Sequence, residues 1–283
     1  MNPNQTFRDF ELNISDNAST DSTQEIWEDY ARRDSRVHYY RNDENFGATW
    51  NFNRTFELST AKYFKWIGHD DIHEPTLLEK CLNALIEREE DGYVCCWPNT
   101  NIIDENGDLV RKVVEPPMRL DSDSLPQRFH DGTYARHSSF QFHGVIVSDA
   151  LRETCLLGQW ISSDYTMVGQ LALRGKMYQH PEYLYQRRYH SRNGYESSQR
   201  DYYTYAKFWV PVSKKEDILL PYWKMAYEAA KGVLKYPMPL ADRIMCLVHV
   251  VTNRNQHRGF SQYLWDIVHA FKELIRKLLI PKR

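Results

Sequence analysis

The 283-residue sequence is poor in cysteine, in net charge and in long apolar runs. Its five cysteines, Cys81, Cys95, Cys96, Cys155 and Cys246, are odd in number and include no C-x-x-C pair, which excludes a disulfide framework and a structural zinc site and points to a reducing compartment. No run of 18 apolar residues occurs, and Met1 to Phe10 lacks the apolar core of a secretory leader, so we expect a cytoplasmic chain without a spanning helix. A formal net charge of -2 excludes the basic excess of a dedicated nucleic-acid binder, and no nucleic acid is expected as partner. With 42% hydrophobic and 26% charged residues, disorder and rod-like coiled coils are excluded too. Aromatic residues are plentiful, at 14% with 19 Tyr and 8 Trp, and core packing accounts for most of them.

Apolar alternation over Phe10, Leu12 and Ile14 predicts a strand, followed by a polar loop to Thr23 and a helix over Gln24 to Arg33, with Ser22 and Glu25 as a capping box. A strand at Val37 to Tyr40, a helix from Ala48 to Leu58 and a strand at Lys62 to Ile67 continue the rhythm. That strand ends at Gly68-His69-Asp70-Asp71. A helix after Pro75 places Leu77, Leu78, Cys81, Leu82, Leu85 and Ile86 on one face. Tyr93 to Trp97 reads as a strand, and Ile102 to Val110 as a hairpin turning on Asn106-Gly107. Then come a strand-like Phe142 to Val147, a helix with Ser163-Asp164 near its start, and a strand from Met177 to Arg188. From about Gln199 the pattern is helical. Strands alternating with helices imply a mostly parallel sheet, whose ligands sit at the strands' carboxyl ends; Asp16 to Asp21 and His69 to Asp71 both fall there and can share one crevice.

Two adjacent carboxylates repel each other unless a cation offsets them. Asp70 and Asp71 therefore suit Mg²⁺ or Mn²⁺, which takes one or two carboxylates and completes its sphere with phosphate oxygens and water. Helix capping by the same acids is the alternative.

In order and spacing, Asp16-Asn17-Ala18-Ser19-Thr20-Asp21, then Glu44-Asn45-Phe46-Gly47, then Lys65-Trp66-Ile67-Gly68-His69-Asp70-Asp71 resemble the family 2 glycosyltransferases of the GT-A fold. The resemblance continues through Ile103 to Gly107, His143-Gly144, Ser163-Asp164, Leu171 to Gly175 and Arg187 to His190. It implies an α/β, GT-A-like fold with a mixed, mostly parallel sheet and helices on both faces over residues 1–198, and a helical C-terminal extension over 199–283. It also implies a metal-dependent, inverting transferase of the hexosyltransferase type, working in cell-surface polysaccharide or glycan synthesis. The donor would be a nucleotide-diphosphate sugar, a UDP-sugar foremost, and the acceptor a glycan or a lipid-linked hydroxyl.

By the same resemblance Asp16 would meet the base or ribose of the donor, with Asn17, Asp21, Asn45 and Asp70 completing the donor site. Asp71 and His190 would hold the divalent cation, the imidazole favouring manganese. Asp164 would be the general base, with Ser163 where the family often has Glu. Trp160, beside it, would stack on a sugar face. The family's usual opening strand is missing before Thr6, so two strand edges should stand unpaired and half of the base pocket should be absent. A catalytically impaired scaffold and a nucleotidyltransferase are the competing readings. Near the end, Phe260, Tyr263, Leu264, Ile267, Val268, Phe271, Leu274, Ile275 and Leu278 recur at helical spacing beside Arg276, Lys277, Lys282 and Arg283. This is either a packing face or an amphipathic helix in peripheral contact with the inner face of an anionic membrane.

Overall fold

Strand β5 (Tyr93–Ile103) carries the frame of the molecule, because Cys95, Cys96, Trp97 and Pro98 are buried in succession, as a strand covered on both faces requires. The computed structural model describes residues 5–135, 137–189, 220–252 and 261–279. Ahead of β5 lie β1 (Leu12–Asp16), α1 (Thr23–Arg33), β2 (Val37–Arg41), α2 (Ala48–Glu57), β3 (Tyr63–Phe64), β4 (Ile72–His73) and α3 (Leu77–Ile86). After it come β6 (Leu109–Lys112), α4 (Leu125–Tyr134), a 3₁₀ turn (Phe140–His143), β7 (Val145–Val147), α5 (Ser148–Arg152), α6 (Ser163–Arg174) and β8 (Lys176–Arg188). Three further helices follow: α7 (Pro221–Lys235), α8 (Leu240–Thr252) and α9 (Ser261–Leu279).

The main sheet has the order β3-β7-β5-β8-β4, with β6 added to β5. The α/β architecture and the mixed sheet agree with the sequence, the long β5–β8 ladder being parallel. Only β1–β2 and β5–β8 pair in parallel, whereas β3–β7, β4–β8, β5–β6 and β5–β7 are antiparallel. The reason is local: β6 returns through the hairpin turn at Asn106-Gly107, where Gly107 has φ 96° and Asp104 Oδ1 accepts the Asn106 and Asp108 N–H groups. The β5–β8 register shifts around Pro98 and Asn99, where proline offers no N–H to the ladder.

Strands β1 and β2 form a separate two-stranded sheet. Among the described residues β1 pairs only with β2, and β3 only with β7. Helix α2 spans the two sheets. Asn51 donates to Ser15 O at 2.8 Å and accepts from Ser15 Oγ at 2.6 Å, while the next residue, Phe52, accepts from Trp66 Nε1 at 2.8 Å through its carbonyl.

Four local expectations change. Ser22 makes no side-chain cap; Asp21 Oδ1 instead accepts the Thr23 N–H and hydroxyl, since its carboxylate reaches the first turn without a reciprocal Glu. Of Lys62 to Ile67 only Tyr63 and Phe64 pair as a strand among the described residues. Ile86, the last residue of α3, is exposed, so the apolar face stops at Leu85. Phe140 to His143 closes as a 3₁₀ turn, entered through Ser139 at φ 56°, and β7 begins only at Val145.

The main core joins α3, β5, β7 and α6 through Leu77, Cys81, Cys96, Ile146, Met167 and Leu171. A second core joins α4 and α6 to α7 and α8 through Phe129, Tyr134, Leu173, Met225, Ala229 and Cys246. The C-terminal helices thus share buried surface with the α/β body. Helices α4 and α6 approach closely at a glycine pair: a Cβ on Gly132 would lie 3.2 Å from Gly169 Cα, and one on Gly169 would lie 1.7 Å from Thr133 Oγ1. Gly169→Ala is therefore expected to lower stability by about 1–3 kcal/mol through overpacking. Chemical denaturation reads this directly, and an unchanged midpoint would show that the contact can relax.

Candidate active site

The chain approaches the acidic turn along a rigid path. Trp66 is buried, stacks on Phe142 at 4.7 Å between ring centroids and meets Phe64 edge-on at 5.0 Å, which fixes the backbone just before Gly68. The turn then leads into β4, which pairs with β8 at Ile72–Gln186 and His73–Tyr185 and so brings Asp71 against the end of β8.

Asp71 is buried and held by that strand. Its Oδ1 accepts the Arg188 N–H at 3.0 Å, and its Oδ2 accepts the Tyr185 hydroxyl. Gly68 makes room for the carboxylate, since a Cβ there would lie 2.6 Å from Asp71 Oδ2. Burial pushes the Asp71 pKa up, more than the Tyr185 hydrogen bond lowers it. Asp70 is half-buried, and its carbonyl accepts from Arg188 Nε at 3.0 Å. The same guanidinium reaches the carbonyls of Asp104 and Glu105 at 2.8 and 2.9 Å, tying the acidic turn to the β5–β6 turn.

Asp164 lies in the first turn of α6. Burial raises its pKa, and the neighbouring Ser139 and the charge of Arg187 act in the opposite direction. The Ser139 hydroxyl has no hydrogen-bond partner of good geometry, so it stands beside the carboxylate without locking it. Arg187 joins the two acidic positions. Burial works against its charge, but Tyr185, Tyr189, Asp71 and Asp164 outweigh that and hold its pKa above the ordinary value. Its guanidinium lies 5.8 Å from the Phe140 ring centroid. Next to this group, Lys65 donates to the His143 carbonyl and lies 5.6 Å from the Tyr185 ring centroid; burial brings its pKa down to about 8 although Asp71 favours the charge. Sequence reasoning missed Arg187, Lys65 and Tyr185 as site residues. The signal was there for Arg187 and Tyr185, two positions apart on a strand that ends at the crevice.

The loops after β1 and β2 form a second cluster. Asn17 donates to Asn45 Oδ1 at 2.7 Å and accepts the Phe46 N–H at 3.0 Å, so the two loops are stitched together. Asp16 has a fully buried side chain whose Oδ1 accepts the Ser19 N–H at 2.9 Å and whose Oδ2 accepts from Tyr39 at 2.5 Å and from Arg41 at 2.7 Å. Burial raises its pKa, but these hydrogen bonds outweigh burial and leave it lowered. In this arrangement Asp16 shapes the loop, while Asn45 stands exposed and Asn17 half-exposed. Asp21 is spent on the start of α1. His190 lies outside the described residues. Trp160 rests against Gly158 with the Lys224 ammonium 5.2 Å from its ring centroid, which ties it to α7.

Backbone strain gathers at the same places. Of four non-glycine residues with positive φ, Ala18 follows Asp16 at φ 61°, and Ser139 and Ser162, at φ 56° and 61°, flank Asp164. Such conformations cost about 1–3 kcal/mol each and concentrate where function over-determines the backbone.

Among the described residues no group of three or more His, Cys, Asp or Glu could enclose a metal ion. Asp70 and Asp71 still suit one that is completed by phosphate and water, because each Asp71 oxygen accepts a single described hydrogen bond and a carboxylate offers about four lone-pair positions.

The family model for glycosyl transferase family 2 matches residues 3–142. TuaG of Bacillus subtilis, assigned to teichuronic acid biosynthesis, is 26% identical over 160 residues, 56% of this chain and 62% of that protein. The GalNAc(5)-diNAcBac-PP-undecaprenol beta-1,3-glucosyltransferase of Campylobacter jejuni is 26% identical over 128 residues, 44% of this chain and 40% of that protein. The chain thus spans only part of the length of the curated relatives it matches. The structure of S. aureus TarS 1-349 with UDP-GlcNAc superposes with a TM-score of 0.62 at 12% identity, over 95% of this chain and 74% of that one, which establishes a shared GT-A fold.

The Asp16 cluster generates a stability prediction. A carboxylate whose folded pKa is lowered contributes stability above its unfolded value, near pH 4, and loses it as pH falls through the folded value. Asp16→Asn should therefore lose about 1–3 kcal/mol at pH 7 and show less further loss on acidification. Urea titrations from pH 7 to 3 measure both, and parallel curves for the two proteins would contradict the assignment.

Proposed function

The chain belongs to glycosyl transferase family 2, and from that membership and the geometry of its acidic crevice we propose that it transfers a hexosyl group from a nucleotide-diphosphate sugar, a UDP-sugar foremost, to a hydroxyl acceptor. The carrying observation is that Arg187 acts electrostatically on two carboxylates, the buried Asp71 and the half-buried Asp164, contributed by elements far apart in sequence. One of them lies on the turn that would face a diphosphate, the other at the start of a helix that would face an acceptor.

Asp164 is the proton acceptor in this reading. Its carboxylate takes the proton from the acceptor hydroxyl as the oxygen attacks C1, and the C1–oxygen bond to the diphosphate breaks with the electron pair leaving on the phosphate. With one base and no second carboxylate acting as nucleophile, displacement inverts the configuration at C1. The charge of Arg187 lowers the Asp164 pKa against the burial that raises it. Asn17 and Asn45 orient the donor from the stitched loops, and Asp16 holds those loops in shape. A divalent Mn²⁺ or Mg²⁺, when bound, would be held by Asp71 and Asp70, with His190 as a further ligand, and would offset charge on the leaving diphosphate. The C. jejuni relative acts on an undecaprenol-diphosphate-linked glycan and TuaG belongs to teichuronic acid biosynthesis. Those names support a glycan or lipid-linked acceptor in polysaccharide synthesis here.

Asp164→Asn should keep UDP-sugar affinity and lose transfer by about 10²–10⁴-fold. Release of nucleoside diphosphate with an acceptor present reports the reaction, and full transfer by this variant would place the base elsewhere; donor binding without transfer in the parent chain would favour a scaffold. Arg187→Gln removes a charge that lowers the Asp164 pKa, so the acid limb of the rate profile should move to higher pH. A limb that stays in place would separate Arg187 from Asp164.

A further inference from the structure

The exposed apolar surface of this molecule is concentrated at one end. Of the twenty-five large hydrophobic residues exposed among those described, sixteen lie from Leu220 onward, in α7 to α9. Helix α9 shows how that surface is presented. One side of it is docked: Asp266, with no exposed surface, accepts the Tyr222 and Trp223 N–H groups at the start of α7 at 2.8 and 3.1 Å. Tyr263 donates to the Val250 carbonyl of α8 at 3.0 Å, and its own carbonyl accepts from Trp223 Nε1 at 3.1 Å. These bonds set the rotation of α9 about its axis.

With that rotation, Leu264, Ile267, Val268, Phe271, Leu274 and Ile275 form one helical stripe and remain 40 to 62% exposed. The stripe runs about 16 Å along the helix at 1.5 Å per residue. The sequence after Asp266 carries Lys272, Arg276, Lys277, Lys282 and Arg283 against the single acid Glu273. No helix of the described residues is long and apolar enough to cross a membrane. A stripe of this kind with Lys272 and Trp265 exposed beside it, in a segment whose sequence is rich in Lys and Arg, has the chemistry of a helix lying in a lipid interface.

We propose that α9 docks the protein on an anionic bilayer surface, its apolar stripe among the acyl chains nearest the headgroups and its basic residues on the lipid phosphates. Charge complementarity selects this occupant: a second copy of the chain would bring the same cations to the contact, whereas an anionic leaflet supplies the counter-charge. The inference stands on the C-terminal helices and is independent of the transfer reaction.

Flotation of the full chain with vesicles tests it. Vesicles of two parts phosphatidylcholine to one part phosphatidylglycerol should carry the protein, pure phosphatidylcholine should carry it far less, and added salt should release it. Each basic residue near the surface is worth about fivefold in affinity, so Lys272→Glu should weaken binding by at least that factor. Ile267→Asp combined with Phe271→Asp should abolish flotation while leaving the melting temperature in place; if that variant does not fold, Lys272→Glu still decides. Equal binding to neutral and anionic vesicles, or none to either, overturns the proposal. So does a concentration-dependent dimer broken by Phe271→Asp without vesicle binding, which would make the stripe a contact between copies.

Discussion

The attachment of the acidic turn to the end of β8 is the constraint on which the candidate site depends. Asp71 is taken out of water and held by the Tyr185 hydroxyl and the Arg188 amide, both on one strand. A buried carboxylate left without such donors would protonate or drag water in. Because the donors belong to the strand that also carries Arg187, fixing Asp71 fixes a cation beside it. That cation in turn faces Asp164 on α6. The acidic turn is thereby set in one electrostatic unit with two consecutive elements, α6 and β8, much later in the chain.

Stored strain follows the same map. Ala18, Ser139 and Ser162 occupy left-handed backbone where glycine would be unstrained, next to Asp16 on one side and Asp164 on the other. The packing beneath is tight enough to hold them: Trp66, Phe142 and Phe64 lock the approach to the acidic turn, and the close α4–α6 crossing at Gly132 and Gly169 locks the helix that carries Asp164. The loops after β1 and β2 are held differently. Their order comes from hydrogen bonds among Asp16, Asn17, Tyr39, Arg41 and Asn45 at the end of a two-stranded sheet with a free edge.

Much of this was legible in the residues. Periodicity located α1, α2, α3, α6 and β8 to within a residue or two at most ends, because each buries one stripe or face and its ends carry turn or cap residues. The acidic turn was placed at a strand's carboxyl end by the alternation of strands and helices, whereas Asn45 was named from the family resemblance. Strand direction was less legible. A run of apolar residues is the same whether its neighbour is parallel or antiparallel, so the direction of β7 against β5 could not be read, whereas the turn at Asn106-Gly107 gave that of β6. Capping at α1 went to Asp21 and not Ser22, since the two lie one residue apart and only backbone geometry selects between them.

From its residues alone this chain could be assigned an α/β frame, a family pattern and an acidic pair at a strand end, since those depend on short-range spacing and side-chain type. The linkage of Asp71 to Asp164 through Arg187, the enclosure of Lys65, the commitment of Asp16 to its own loop and the outward stripe of α9 required the folded molecule. Each of these is a matter of which distant surfaces are pressed together and cut off from solvent. Spacing along a chain carries no measure of that.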